Sequence, residues 1–267
     1  MKQLKSRKIT VKRLKSLGVI WALLFLCLVA SCLSPNFRTM NNVINVVRNI
    51  SINGIIAVGM SFVILTGGID LSVGATVNLV ASVVAIGFIS GMHPLFACII
   101  GIICGALVGL INGIGITKGG IPPFIMTLGT VTAVSGVAMY ITGGAPQSWR
   151  TSNINFEFLG RGALFDIPFP IFVFVGVVII SFIVLKYTVF GRSVYAIGDS
   201  REAARLSGIG VDKVEILVYV ISGMMSALSS LVLMSRLGVG EPTSGDGCEL
   251  DAIAMVIIGG TSTAGGT

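Results

Sequence analysis

Apolar residues run along this chain in long unbroken blocks, not in the alternating rhythm of a half-buried strand. The blocks fall at about 17–33, 43–66, 71–91, 94–117, 122–142, 169–186 and 213–235, and an eighth begins near Asp251. Most approach the roughly 20 residues a helix needs to cross a hydrocarbon core. Inside that core every backbone polar group must be paired within the protein, which leaves helices or closed barrels, and unbroken blocks point to helices. The pattern predicts an all-α, polytopic transmembrane helix bundle.

Composition agrees. Of 267 residues, 54% are hydrophobic and 11% charged, with mean hydropathy +0.98, so lipid is the solvent for most of the chain. The net charge of +7 would suit a nucleic-acid binder, but its distribution argues otherwise. Lys2, Lys5, Arg7, Lys8, Lys12, Arg13 and Lys15 precede Leu17 with no acid among them. That cluster predicts a cytoplasmic N-terminus over 1–16. Alternation then puts the 187–212 loop in the cytoplasm, with Lys186, Arg192, Arg201, Arg205 and Lys213 in or beside it. Loops 143–168 and 236–250 fall outside. Val29-Ala30-Ser31-Cys32 resembles a lipoprotein cleavage site, but the near-spanning length of 17–33 and the spans after it favour a retained helix.

Some spans carry small residues at every fourth position: Gly101, Gly105, Gly109 and Gly113, and again Ser222, Ser226 and Ser230. Lipid offers no hydrophobic drive for helices to associate, so such stripes serve close packing. The five cysteines form no CxxC pair and read as small apolar residues.

Two stretches interrupt the blocks. In ILTGGIDLSVG (64–74), Gly67 and Gly68 end a helix, and Asp70 or Ser72 caps the next one. This is either a capped turn at the membrane surface or a break serving as gate or pathway wall. In GDSREAARLSGIGVDKVEI (198–216), Asp199 with Glu202 predicts a capping box, and Gly208 a stop. The helix between them is about two turns long, too short to cross a membrane and stable only when docked. Asp212 with Glu215 predicts the cap of the following span. Arg201 and Arg205 share a side, and Ala203 with Leu206 forms a small apolar face. The helix is either an ordinary loop helix or a docking knob for a cytoplasmic partner.

GGIDLSVG (67–74), GRSVYAIGDSREAARLSGI (191–209) and ELDAIAMVIIGGTSTAGG (249–266) resemble, in order, the ribose-type branch of bacterial ABC sugar-import permeases. Glu202-Ala203-Ala204, with Gly208 four positions on, is similar to the EAA-x3-G loop of importer permeases, without the Leu-Pro that closes the longer pattern. The resemblance implies a type II-like permease over 17–267, working as a pair of copies or homologues in the bacterial inner membrane. Its partners would be cytoplasmic ABC-type ATPase subunits, which bind the ATP, and a periplasmic or lipid-anchored sugar-binding protein. Arg201, Glu202, Ala203, Ala204, Arg205, Leu206 and Gly208 would form the coupling helix. About ten spans are implied, against seven to eight here, so the chain ending GGTSTAGGT is expected to lack C-terminal spans.

The remaining chemistry is sparse. No P-loop or GxSxG elbow occurs, so the chain is expected to have no catalytic residues and no cofactor of its own. The single histidine, His93, reads as a surface residue, and no metal site is expected. Every acid reads as lying at a span edge or in a loop, which argues against ion coupling. Polar residues within spans are the pathway candidates: Asn49, Asn53, Asn78 and Asn112, with Asn45 and a snorkelling Arg48 near the start of the second span. Each asparagine serves equally as a bond between helices. The resulting expectation is the permease subunit of an ATP-driven monosaccharide importer. A secondary transporter or facilitator and a non-transporting truncated subunit are the alternatives.

Overall fold

A computed structural model describes residues 18, 20–149, 156–262, 265 and 266; the basic N-terminal segment 1–16 lies outside them. The chain divides into two units, residues 1–47 and 48–267. The first holds α1 (Ile20–Leu33), a short 3-10 turn (Pro35–Arg38) and the opening turns of α2.

The second holds the rest of α2 (Met40–Leu65), α3 (Val73–Ile89), α4 (Pro94–Thr117) and α5 (Pro123–Thr142). After a one-turn α6 (Phe158–Arg161) and a hairpin of β1 (Ala163–Leu164) and β2 (Ile167–Pro168) come α7 (Phe169–Tyr187) and α8 (Val189–Asp199). The described chain closes with α9 (Arg201–Leu206), α10 (Val211–Leu237) and α11 (Cys248–Ile258). The molecule is therefore an all-α bundle. Among the described residues, five helices (α2, α4, α5, α7 and α10) are long and apolar enough to span, while α1 and α3 are shorter.

The glycine stripe decides the central packing. Gly105 lies against Gly223 and Ala227, Gly109 against the backbone of Tyr219, and Gly113 against Ile216, so α4 and α10 meet backbone to backbone. A Cβ at any of these glycines would collide with main chain, which forces the helices apart. The serines of α10 do more than keep the surface small. Ser229 donates to the Ile52 carbonyl, Ser230 to that of Val77 and Ser235 to that of Phe156, so one helix grips three neighbouring segments. At the end of the bundle near α6, Phe88, Trp149 and Phe156 pack edge to face.

Three sequence expectations change here. The 187–212 loop holds two helices, the amphipathic α8 as well as α9. The stretch 236–250, expected as a loop on the non-cytoplasmic side, packs into the bundle. After α10 it runs along α3, with Gly240 against Ala81 and Ala85 and Gly245 against Gly74 and Val77. The eighth segment, α11, therefore starts inside the bundle and has 11 residues.

Candidate functional site

Helix α9 starts from Ser200, whose hydroxyl accepts from the Ala203 N–H at 3.3 Å. Asp199, the expected cap, is instead the last residue of α8. The turn beyond α9 closes on Gly208 with φ of 83°, a left-handed conformation that glycine adopts without strain. Ala204 alone of the helix is buried, in a cluster with Ile197 and Val211. The apolar face therefore runs through Ala204, not Ala203 and Leu206, and Leu206 is 84% exposed.

Asp212 and Glu215 do not cap α10 either, for its N-terminus carries no side-chain cap. They face α9 instead. Arg201 Nη2 meets Glu215 Oε2 at 2.6 Å, with the Glu215 side chain 9% exposed, and Arg205 meets Asp212 at 3.6 Å in the open. The first pair is short and shielded on one side. The second is worth about 0–1 kcal/mol. Beside α9 lies a groove of about 630 Å³ whose other wall is the α4–α5 loop, with Thr117, Ile121 and Pro122 facing Glu202 and Leu206. A smaller cavity of about 290 Å³ joins Arg201 and Glu215 to Gly67, Gly68 and Tyr219.

The break at 66–72 opens on this cavity. Gly67 N donates to the Ile64 carbonyl and Gly68 N to that of Val63, closing α2 in a Schellman-type turn with Gly67 at φ of 79°. Gly68 leaves no room for a side chain beside the Tyr219 hydroxyl. Asp70 then turns into the bundle and is 1% exposed. Its Oδ1 accepts from the Ser72 N–H (3.0 Å) and hydroxyl (2.6 Å), and its Oδ2 accepts from the Ser222 hydroxyl (2.7 Å). Asn112 donates to the Ser72 hydroxyl at 2.8 Å, and Thr130 donates to Asn112 Oδ1 at 2.6 Å. The break is thus pinned to α4, α5 and α10 by one continuous chain of hydrogen bonds.

This corrects the placement of the acids. Ser222, the partner of Asp70, is the twelfth residue of the 27-residue α10, and Asp251 meets Asn53 halfway along α2. Neither acid lies at a span edge, so edge placement no longer argues against ion coupling. Sequence missed them because both lie in interrupted segments, where linear distance from a span does not measure depth.

The asparagines separate into two kinds. Asn112 is fully buried in the Asp70 network. Asn78, 1% exposed, donates to Asp246 (2.7 Å) and accepts from the Gly245 N–H (2.6 Å), holding the descending segment against α3. Both stand as ties between segments. Asn49 and Asn53 lie on the accessible side of α2, where Asn49 accepts from Arg236 and Asn53 donates to Asp251 at 3.2 Å. Arg48 donates to the Arg161 carbonyl at 3.2 Å. Asp251 and Arg236 were not legible as partners, since each lies about 190 residues or more from its asparagine.

A family described as the permease component of the branched-chain amino acid transport system matches residues 42–267. The chain belongs to this permease family. The permease is 45% identical over 253 residues to a ribose import permease of Bacillus subtilis (strain 168), covering 95% of this chain and 79% of that protein. A ribose import permease of Escherichia coli (strain K12) is 41% identical over 247 residues, 92% of this chain and 77% of that protein. A xylose transport system permease of the same strain is 34% identical over 290 aligned positions, covering 86% and 74%. No solved structure matches the chain. With five helices among the described residues long and apolar enough to cross a membrane, the permease is a multi-pass membrane protein.

Proposed function

We propose that this permease is the membrane subunit of an ATP-driven importer for ribose or a related monosaccharide. The supporting observation is the 41–45% identity, over more than nine-tenths of the chain, to proteins named ribose import permeases. The permease performs no catalysis on this reading. Cytoplasmic ATPase subunits bind and hydrolyse ATP, a periplasmic or lipid-anchored binding protein delivers the sugar, and a second copy or homologue completes the passage. The membrane is the bacterial inner membrane, with the N-terminus and α9 on the cytoplasmic side.

Residues Arg201–Gly208 form the contact with the ATPase. Ala204 anchors α9 to the bundle, while Glu202, Ala203 and Leu206 face outward. Force on α9 reaches α10 through the Arg201–Glu215 pair, and the cavity beside that pair borders the break at Gly67 and Gly68. The break, with Asp70 and Ser72, acts as the firm end of a gate.

Asp70, buried within the bundle, is a feature that suits an ion-coupled carrier, as does Asp251 beside Asn53. Both oxygens of Asp70 are already occupied by hydroxyl and amide donors, however, which suits a structural tie.

The test is co-purification from detergent-solubilised membranes, with the natural chain compared to one carrying Glu202→Lys and Ala203→Asp. An ATPase recovered with the first and lost with the second supports the assignment. A folded natural chain that recovers no ATPase would move the ion-coupled carrier ahead.

A further inference from the structure

We infer that Asn49, Asn53, Arg236 and Asp251 form a water-lined strip that hydrogen-bonds a neutral, polyhydroxylated solute. This inference rests on the sugar-import reading above and names where that solute touches the chain.

The first observation is a mismatch of surface and depth. Asn49 and Asp251 are exposed, and Asn53 and Arg236 are partly so. Asn53 stands halfway along α2, with Asn49 one helical turn away on the same side, about 6 Å along the axis. The exposed surface elsewhere is of a different kind. Ile103 on α4, Ile125 on α5 and Ile180 on α7 are 51–63% exposed, as lipid-facing side chains are. A charged side chain at the depth of Asp251 faces water or protein, not lipid, because a carboxylate in hydrocarbon costs several kcal/mol, while Arg236, in the last turn of α10, reaches in from the span end.

The second observation is independent of those side chains. Residues 238–247 run beside α3 without forming a helix, and α11 begins only at Cys248. Irregular backbone at membrane depth is tolerated where it is buried in protein or borders a water-filled cavity. Here Thr243 and Asp246 are exposed, so the segment borders such a space on one side. Asp251 projects from the first turn of the half-helix that follows and meets Asn53.

The composition of the strip selects the solute. Its four side chains include one cation and one anion, each already bonded to an amide, and Arg48 adds a second cation close to Arg236. An ionic solute of either sign would meet repulsion as well as attraction. A neutral polyol, each of whose hydroxyls donates and accepts, satisfies cation and anion alike.

The test uses right-side-out membrane vesicles carrying the full chain with its ATPase and binding protein. The native cysteines are replaced, and a single cysteine is placed by Asn53→Cys, Asp251→Cys or Ile180→Cys. The probe is a charged, membrane-impermeant thiosulfonate. We expect reaction at 53 and 251 but not at 180, and a loss of labelling rate at 53 and 251 when ribose is added. Absence of reaction at 53 and 251 would overturn the water-lined strip. Reaction that ribose leaves unchanged would overturn the sugar contact. In the cysteine-containing chain, Asp251→Asn and Arg236→Gln should each raise the KM for ribose uptake about tenfold while the ATPase still co-purifies. An unchanged KM also overturns the contact. Because labelling is read without transport, reagent reaching 53 and 251 in vesicles that import no ribose would support the strip and remove only the ribose reading.

Discussion

Asp70 shows how much a single residue controls here. A carboxylate taken out of water is costly unless its oxygens are satisfied, and three donors from Ser72 and Ser222 satisfy this one. Removing it leaves two buried hydroxyls and an amide without their acceptor. Asp70→Ala should therefore lower stability by about 1–3 kcal/mol, read as a fall in the detergent thermal midpoint. Asp70→Asn, which keeps an acceptor oxygen, should lose less. Equal losses would mean that charge, not hydrogen bonding, fixes the break. Thr130→Val cuts the far end of the chain of bonds and should cost under about 1 kcal/mol, the usual scale for one hydrogen bond between membrane helices.

Among the elements, the contact of α4 with α10 depends on glycine for its distance. At Gly109 an added Cβ would meet the Tyr219 carbonyl and the Val220 backbone, neither of which can turn aside. Gly109→Ala should cost about 1–3 kcal/mol through overpacking, seen as lost monodispersity or a lower thermal midpoint. Gly129, on α5, has open space where its Cβ would stand, so Gly129→Ala should be neutral or stabilising by a few tenths. The stripe in α4 was readable from spacing alone. Its partner was not, because spacing shows that a face is small without showing what approaches it. The α9 cap teaches the same distinction. Asp199-x-x-Glu202 satisfied the local pattern, yet α8 runs through Asp199, and Ser200 takes the capping position. Two helices competed for one boundary, and packing chose.

At the scale of the whole molecule, the Arg201–Glu215 pair ties the short α9 to a helix that runs the length of the bundle. If that tie transmits motion, Arg201→Glu should reduce ribose uptake while the ATPase still co-purifies, since like charges then oppose each other beside a largely buried carboxylate. The exchange Arg201→Glu with Glu215→Arg should recover much of the uptake. Failure of the exchange to recover it would mean that Arg201 acts on the partner and not through α10.

The sequence by itself determined the class of fold, the placement of most spans, a short helix near 200–206 and the family. Each of these follows from local chemistry: block length against bilayer thickness, glycine stops, and motifs carried by contiguous residues. Tertiary structure alone decided depth and partnership. It turned Asp70 inward, brought the 238–247 segment along α3, and divided four similar asparagines into two buried ties and two accessible side chains. The physical reason is range. Hydropathy and capping act over a few residues, whereas Asn53 meets Asp251 and Ser222 meets Asp70 only after helices far apart in the chain have packed.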